Sequence, residues 1–206
     1  MQKTERYDND IQLWNRLREG DRSSIEYLYR NNYALMLNYG LNITPDKELV
    51  KDCIQEIFVK LFKSSSLGEA VSPCSYLLKS VRNMIYDKLS SALVNHECAD
   101  IEEMFLAIPE DDDFFDSLFP DSDDEIKFKK RLTDALNSLS SQQRQVIYLR
   151  FVEGLSHKEI ADVLGIAEQS SMNLVNRGIS KLRTLLSVHD TLLLLMILSH
   201  FFKKIG

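Results

Sequence analysis

Apolar side chains recur along this chain at the spacing of one helix face. The clearest run is Val50, Cys53, Ile54, Ile57, Phe58, Leu61 and Phe62. It fills the stripe of a 3.6-residue repeat without a gap. Thr44-Pro45 stands ahead of the run. This predicts Thr44 as the N-cap and Pro45 at the first helical position, with Asp46 and Glu48 against the positive end of the helix dipole. Ser72-Pro73 repeats the arrangement ahead of Leu77, Leu78, Val81, Ile85 and Leu89. Upstream, Ile25, Leu28, Tyr29, Tyr33 and Met36 predict a helix over 22–39 that stops near Gly40. A short helix over 11–17 completes a four-helix N-terminal domain.

The second half reads as short helices with sharp stops: 127–139, then 141–152 ending at Gly154. Ser156-His157-Lys158-Glu159 is a capping box, in which the serine serves the third amide and the glutamate reaches back. That helix ends at Leu164-Gly165-Ile166, and a longer one follows over 167–186. A helix-turn-helix needs a small residue where its helices cross, a turn glycine and apolar anchors; Ala161, Gly165, Leu174 and Val175 supply them. No stretch alternates with strand period. The expected fold is all-α: two small helical domains joined by an acidic linker, the C-terminal one a helix-turn-helix domain.

Charge separates the parts. The formal net charge is −6, yet residues 89–126 hold 13 Asp and Glu with no Lys or Arg. Residues 1–88 net +1 and residues 127–206 net +6. Mutual repulsion opposes compaction of the acidic stretch, which reads as a linker over 90–126 between domains at 1–89 and 127–188. Its apolar residues, Ile101, Met104, Phe105 and Phe114 among them, suit a linker that docks on a partner. Residues 189–206 form an apolar tail, which must be buried against this domain or another protein.

Composition excludes several classes. With 44% hydrophobic and 27% charged residues the chain is not wholly disordered. Three Cys without a CxxC pair give neither a disulfide scaffold nor a thiolate zinc site. MQKTERYDND lacks the apolar core of a signal peptide, and the longest apolar run, 192–198, is far shorter than the roughly 20 residues of a membrane span. A soluble cytoplasmic protein without membrane insertion is expected. The carboxylates at Asp111, Asp112 and Asp113 and at Asp121, Asp123, Asp124 and Glu125 lack the calcium-loop pattern, and His96 with Cys98 is a pair without further ligands. Neither a Gly-rich phosphate loop nor a nucleophile elbow is present. The reading is therefore no metal, no cofactor, no small-molecule substrate and no catalytic residue.

Two blocks carry chemistry of another kind. Over 73–90, Lys79, Arg82, Asn83 and Tyr86 fall on one helix face. A cation, an amide and an aromatic in one row suit an unstacked nucleic-acid strand, taking phosphate, base edge and base face. In the C-terminal block, Lys158, Glu168, Gln169, Ser170 and Asn173 are placed for DNA, with Arg177 and Lys181 for phosphate. Here the sequence LNSLSSQQRQVIYLRFVEGLSHKEIADVLGIAEQSSMNLVNRGISKLRTLL resembles the minus-35-reading domain of bacterial sigma factors of the extracytoplasmic-function type. ELVKDCIQEIFVKLFKS followed by SYLLKSVRNMIYDKLS is similar to that family's N-terminal domain, in the same order.

The resemblance implies a sigma factor that binds RNA polymerase core and directs promoter recognition, with promoter DNA and an anti-sigma factor as further partners. It implies that Asp52, Gln55 and Glu56 contact the polymerase, with Phe58 and Leu61 in the core. It implies that Asp87 supports capture of a flipped minus-ten base. The family usually has Arg three residues beyond; here it is Ser90, and Lys88 is a partial substitute. The recognition helix departs further: Ala167 replaces the usual Ser, and Ser170-Ser171-Met172 replaces a Thr-Val-Lys or Ser-Val-Arg triplet. Two rivals follow from the same residues: a LuxR-type helix-turn-helix regulator, and a helical adaptor that does not bind DNA.

Overall fold

The structure is a computed structural model that describes residues 2–64, 72–93, 122–187, 190–192 and 194. Every regular element among them is helical. The N-terminal half holds α1 (Gln2–Arg18), α2 (Ser24–Leu41), α3 (Lys47–Lys63) and α4 (Pro73–Leu93). The C-terminal half holds α5 (Ser122–Ser138), α6 (Ser141–Ile147) continued by a π-helical turn (Tyr148–Val152), α7 (His157–Leu164) and α8 (Glu168–Leu185).

The apolar stripe of α3 does what its period predicts: Val50, Cys53, Ile54, Ile57, Phe58 and Leu61 are buried against α2 and α4. Burial pushes the Cys53 thiol upward, so it behaves as a small core residue. Truncating a fully buried residue such as Ile54 to Ala would cost about 2–5 kcal/mol. Phe62 departs from the expectation and is 57% exposed. The α3 start also differs. Asp46, not Thr44, is the N-cap, its Oδ1 accepting from the Leu49 amide at 3.0 Å. Thr44 accepts instead from the Asp46 amide at 3.3 Å and shapes the turn before the helix. The Ser72-Pro73 expectation holds: Ser72 Oγ accepts from the Ser75 amide at 3.1 Å and Pro73 opens α4.

Helix α2 stops at Leu41, next to Gly40 as expected. Gly40 itself lies buried in the last turn, where a Cβ would clash with Val50 Cγ1, so its missing side chain also lets α2 and α3 close on each other. The linker is shorter than the acidic stretch at both ends, because α4 continues to Leu93 and α5 already begins at Ser122. The expectations for the linker interior, for His96 and Cys98, for Asp111, Asp112 and Asp113, and for most of the tail lie outside the described residues.

Both halves of the capping box over 156–159 form: Ser156 Oγ accepts from the Glu159 amide at 3.2 Å, and Glu159 Oε2 accepts from the Ser156 amide at 2.9 Å. Gly165 closes α7 at φ 68°, a left-handed conformation that glycine adopts without strain. Ala167 opens α8 without a side-chain cap.

Candidate nucleic-acid interface

The outward face of α8 is presented to solvent. Lys158 on α7 and Glu168, Gln169, Ser170, Asn173, Arg177 and Lys181 on α8 are all exposed. Gln169 Nε2 donates to Asn173 Oδ1 at 3.3 Å, which holds the two side-chain amides side by side. Lys181 donates to the Ser138 carbonyl at the end of α5. Met172 is 38% exposed on the same helix. Ser171 is fully buried where the family has an apolar residue, and its Oγ lies 3.2 Å from His157 Nδ1. A polar contact thus takes over the task of locking α7 to α8, alongside buried Val175. The sequence alone gave no partner for that hydroxyl, because His157 sits 14 positions away on the other helix.

The α4 face divides in three. Lys79 turns to α7, where its Nζ pairs with Asp162 Oδ1 at 2.9 Å. Arg82 lies over the Tyr86 ring, 4.8 Å from its centroid, and donates weakly to Asn83 Oδ1 at 3.4 Å. A guanidinium held over a phenol ring pairs a cation with an aromatic surface, the two kinds of group that unstacked bases use. Asn83 and Asp87 stand exposed at the outer edge. Lys88, expected at DNA, pairs with Glu56 at 3.2 Å. Residues assigned by sequence to two different partners therefore meet each other.

On α3, Asp52 and Gln55 are exposed, and Glu56 also pairs with Lys60 at 2.9 Å. The hydrogen bonds from Lys60 and then Lys88 hold the Glu56 carboxyl below the usual carboxylate range. The outward row continues into Val59, 42% exposed, and Phe62, with exposed Tyr27 on α2. These apolar residues were missed as surface groups. The stripe pattern placed Phe62 inside, and Val59 falls outside the stripe, so only its outward position could have flagged it.

Among the described residues no group of His, Cys, Asp and Glu could hold a metal ion, and no helix is long and apolar enough to cross a membrane.

Taken together, the fold and these surfaces define a two-domain helical DNA-binding protein whose second domain is a helix-turn-helix. The family model described as Sigma-70 region 2 matches residues 28–92, and that described as Sigma-70, region 4 matches residues 129–182. The ECF RNA polymerase sigma factor SigL of Mycobacterium tuberculosis is 27% identical over 158 residues, 76% of this chain and 85% of the relative. RNA polymerase sigma factor YlaC of Bacillus subtilis is 28% identical over 147 residues, covering 70% and 81%. RNA polymerase sigma factor CarQ of Myxococcus xanthus is 26% identical over 171 residues, covering 83% and 94%. The chain belongs to the sigma-70 family of RNA polymerase sigma factors and is of the extracytoplasmic-function type. Its function is to direct RNA polymerase to promoters for transcription initiation, and the LuxR-type alternative has no support from these matches.

Proposed function

We propose that this sigma factor divides its work among three helices, acts in the cytoplasm and contributes binding energy without a catalytic residue. Through Arg82, Asn83, Tyr86 and Asp87, α4 takes the unpaired minus-ten strand, with Lys79 and Lys88 reaching phosphate once freed from their intramolecular pairs. The exposed face of α8, with Lys158, reads the minus-35 duplex through Glu168, Gln169, Ser170 and Asn173, with Arg177 and Lys181 at the backbone. On α3, Asp52, Gln55 and Glu56 engage polymerase core, and the reading adds Val59 and Phe62 as the apolar centre of that contact. The observation that carries this reading is the order of regions 2 and 4 in one chain, with exposed rows on α3 and α8 inside the matched residues. Co-purification with polymerase core, followed by promoter-dependent run-off transcription, tests it. Neither a core complex nor a transcript would overturn it. An anti-sigma factor that masks these faces is the expected regulator.

Two outcomes separate the surfaces. Phe62→Asp, or Asp52→Arg, should weaken core binding several-fold while the helical signal and melting midpoint stay at wild-type values, since both side chains are exposed. Unchanged core affinity in both variants would remove α3 from the contact. Met172→Lys should add one phosphate contact and steepen the salt dependence of minus-35 duplex binding by about one log–log unit. An unchanged slope would place residue 172 away from the backbone.

A further inference from the structure

Helix α7 packs against α4, and beside that contact a cavity of about 270 Å³ lies between α4 and the helix-turn-helix half. Its lining is of two kinds. Leu164, Ile166 and Leu174 of the helix-turn-helix make an apolar wall. The polar lining comes from Arg82 and Tyr86 on α4 and from Ser141 and Gln145 on α6.

Two of these polar groups are poorly served by the protein. Gln145 is only 4% exposed, and burying an amide is costly unless it is well hydrogen-bonded. Its Nε2 donates to Ser141 Oγ at 3.4 Å, longer than the usual range. Arg82 Nε is buried and has no hydrogen-bond partner among the described residues, and the contact from its Nη1 to Asn83 Oδ1 is also long at 3.4 Å. A buried donor left unsatisfied carries the full cost of its desolvation, and an acceptor from outside the chain removes that cost.

Size and charge narrow the choice of acceptor. A cavity of about 150 Å³ takes benzene, so one of about 270 Å³ has room for roughly ten heavy atoms. Arg82 is the one charged group among the described lining residues, so the cavity balances a single negative charge. A carboxylate carries one charge and accepts two parallel N–H bonds from a guanidinium, whereas a phosphate monoester carries nearly two. The Tyr86 ring and the aliphatic wall suit a flat apolar body.

We propose that this cavity is a binding site for a small aromatic carboxylate, with the carboxylate on Arg82 and the ring between Tyr86 and the wall of Leu164, Ile166 and Leu174. The sigma factor itself then responds to an organic acid. Arg82 and Tyr86 are also the strand-reading pair of the function proposed above, so ligand and minus-ten strand compete for the same two side chains. That consequence rests on that reading; the site itself does not.

The test uses the full chain and three probes: trans-cinnamate, 2-naphthoate and 4-methylbenzoate. Calorimetry should show saturable one-to-one binding of at least one of them. Methyl spectra of protein labelled at Ile and Leu should then shift first at Leu164, Ile166 and Leu174. The uncharged amide of that probe keeps the shape and should bind at least about tenfold more weakly. Arg82→Gln should weaken the carboxylate by a similar factor, whereas Lys130→Gln, which removes a cation from the exposed face of α5, should bind as wild type does. No saturable binding of any probe, methyl shifts centred elsewhere, or equal affinity for acid and amide would each overturn the site. An equal loss in Lys130→Gln would reduce the effect to overall charge and overturn it too. Fluorescence anisotropy with a single-stranded oligonucleotide of minus-ten type gives the second readout, and saturating probe should weaken strand binding. A probe that binds at the site and leaves strand affinity unchanged would keep the site and overturn Arg82 and Tyr86 as the strand-reading pair.

Discussion

Tyr86→Ala should reduce promoter-directed transcription by this sigma factor about tenfold or more, with binding to polymerase core unchanged. The expectation follows from the platform on α4. The Arg82 guanidinium carbon lies over the Tyr86 ring, 4.8 Å from its centroid, so removing the ring takes away both a stacking surface and the support that orients the guanidinium. Base–aromatic stacking contributes about 1–3 kcal/mol per base, and a stacked cation adds to it, so a tenfold loss is the modest end of the range. The loss belongs to the step at which the strand is unpaired. Holoenzyme should bind a forked template with an exposed minus-ten strand more weakly, while the salt dependence at the minus-35 duplex stays as it was. Tyr86→Phe keeps the ring and should keep most of the activity. If Tyr86→Ala transcribes at the wild-type rate, or Tyr86→Phe loses as much as Tyr86→Ala, the ring is not a stacking surface.

The ion pair between α4 and α7 could not be read from the chain, and the reason is separation in sequence. Lys79 and Asp162 each belong to a local pattern that is complete without the other: one is a cation in a polar row, the other a polar residue on an amphipathic helix. Nothing local records that 83 positions later a carboxylate arrives at hydrogen-bond distance. Patterns that close within four residues were legible. The α3 stripe, the Ser156 capping box and the Gly165 turn each satisfy backbone or apolar groups close to themselves, and each stands where it was expected. Gly40 shows a local signal with a second, non-local cause. The helix ends beside it at Leu41, as a glycine after an apolar run predicts, but the close crossing of α3, where Val50 fills the space a Cβ would need, has no local trace. Phe62 fails for the same kind of reason, since a stripe gives the direction of a side chain but not whether a neighbouring helix extends far enough to cover it.

Tyr148→Ala should have the largest effect on stability, and it should change the form of unfolding as well as its midpoint. Tyr148 is fully buried at the π-helical turn, where its ring stacks on the fully buried Tyr39 of the other half at an interplanar angle of 27°. Its hydroxyl donates to Glu153 Oε1 at 2.8 Å, and burial with that carboxylate alongside holds the phenol well above its ordinary pKa, so it stays a neutral donor across the physiological range. Truncating a large buried aromatic costs about 3–5 kcal/mol through lost burial and the cavity left behind. In a chain of this size that lowers the midpoint by roughly 10 °C. The side chain also joins the halves. Wild type should melt in one calorimetric transition, because unfolding either half exposes a ring packed on the other. With the ring gone, the α4–α7 contact is left to couple them, through Ser72 with Glu159 and through Ser75 and Lys79 with Asp162, and Tyr148→Ala should melt in two transitions. Tyr148→Phe preserves the stacked ring and loses only the hydrogen bonding of the hydroxyl, so it should stay within about 1–3 kcal/mol of wild type and keep a single transition. Two transitions already present in wild type, or a single one retained in Tyr148→Ala, would show that the Tyr39–Tyr148 stack does not unite the halves.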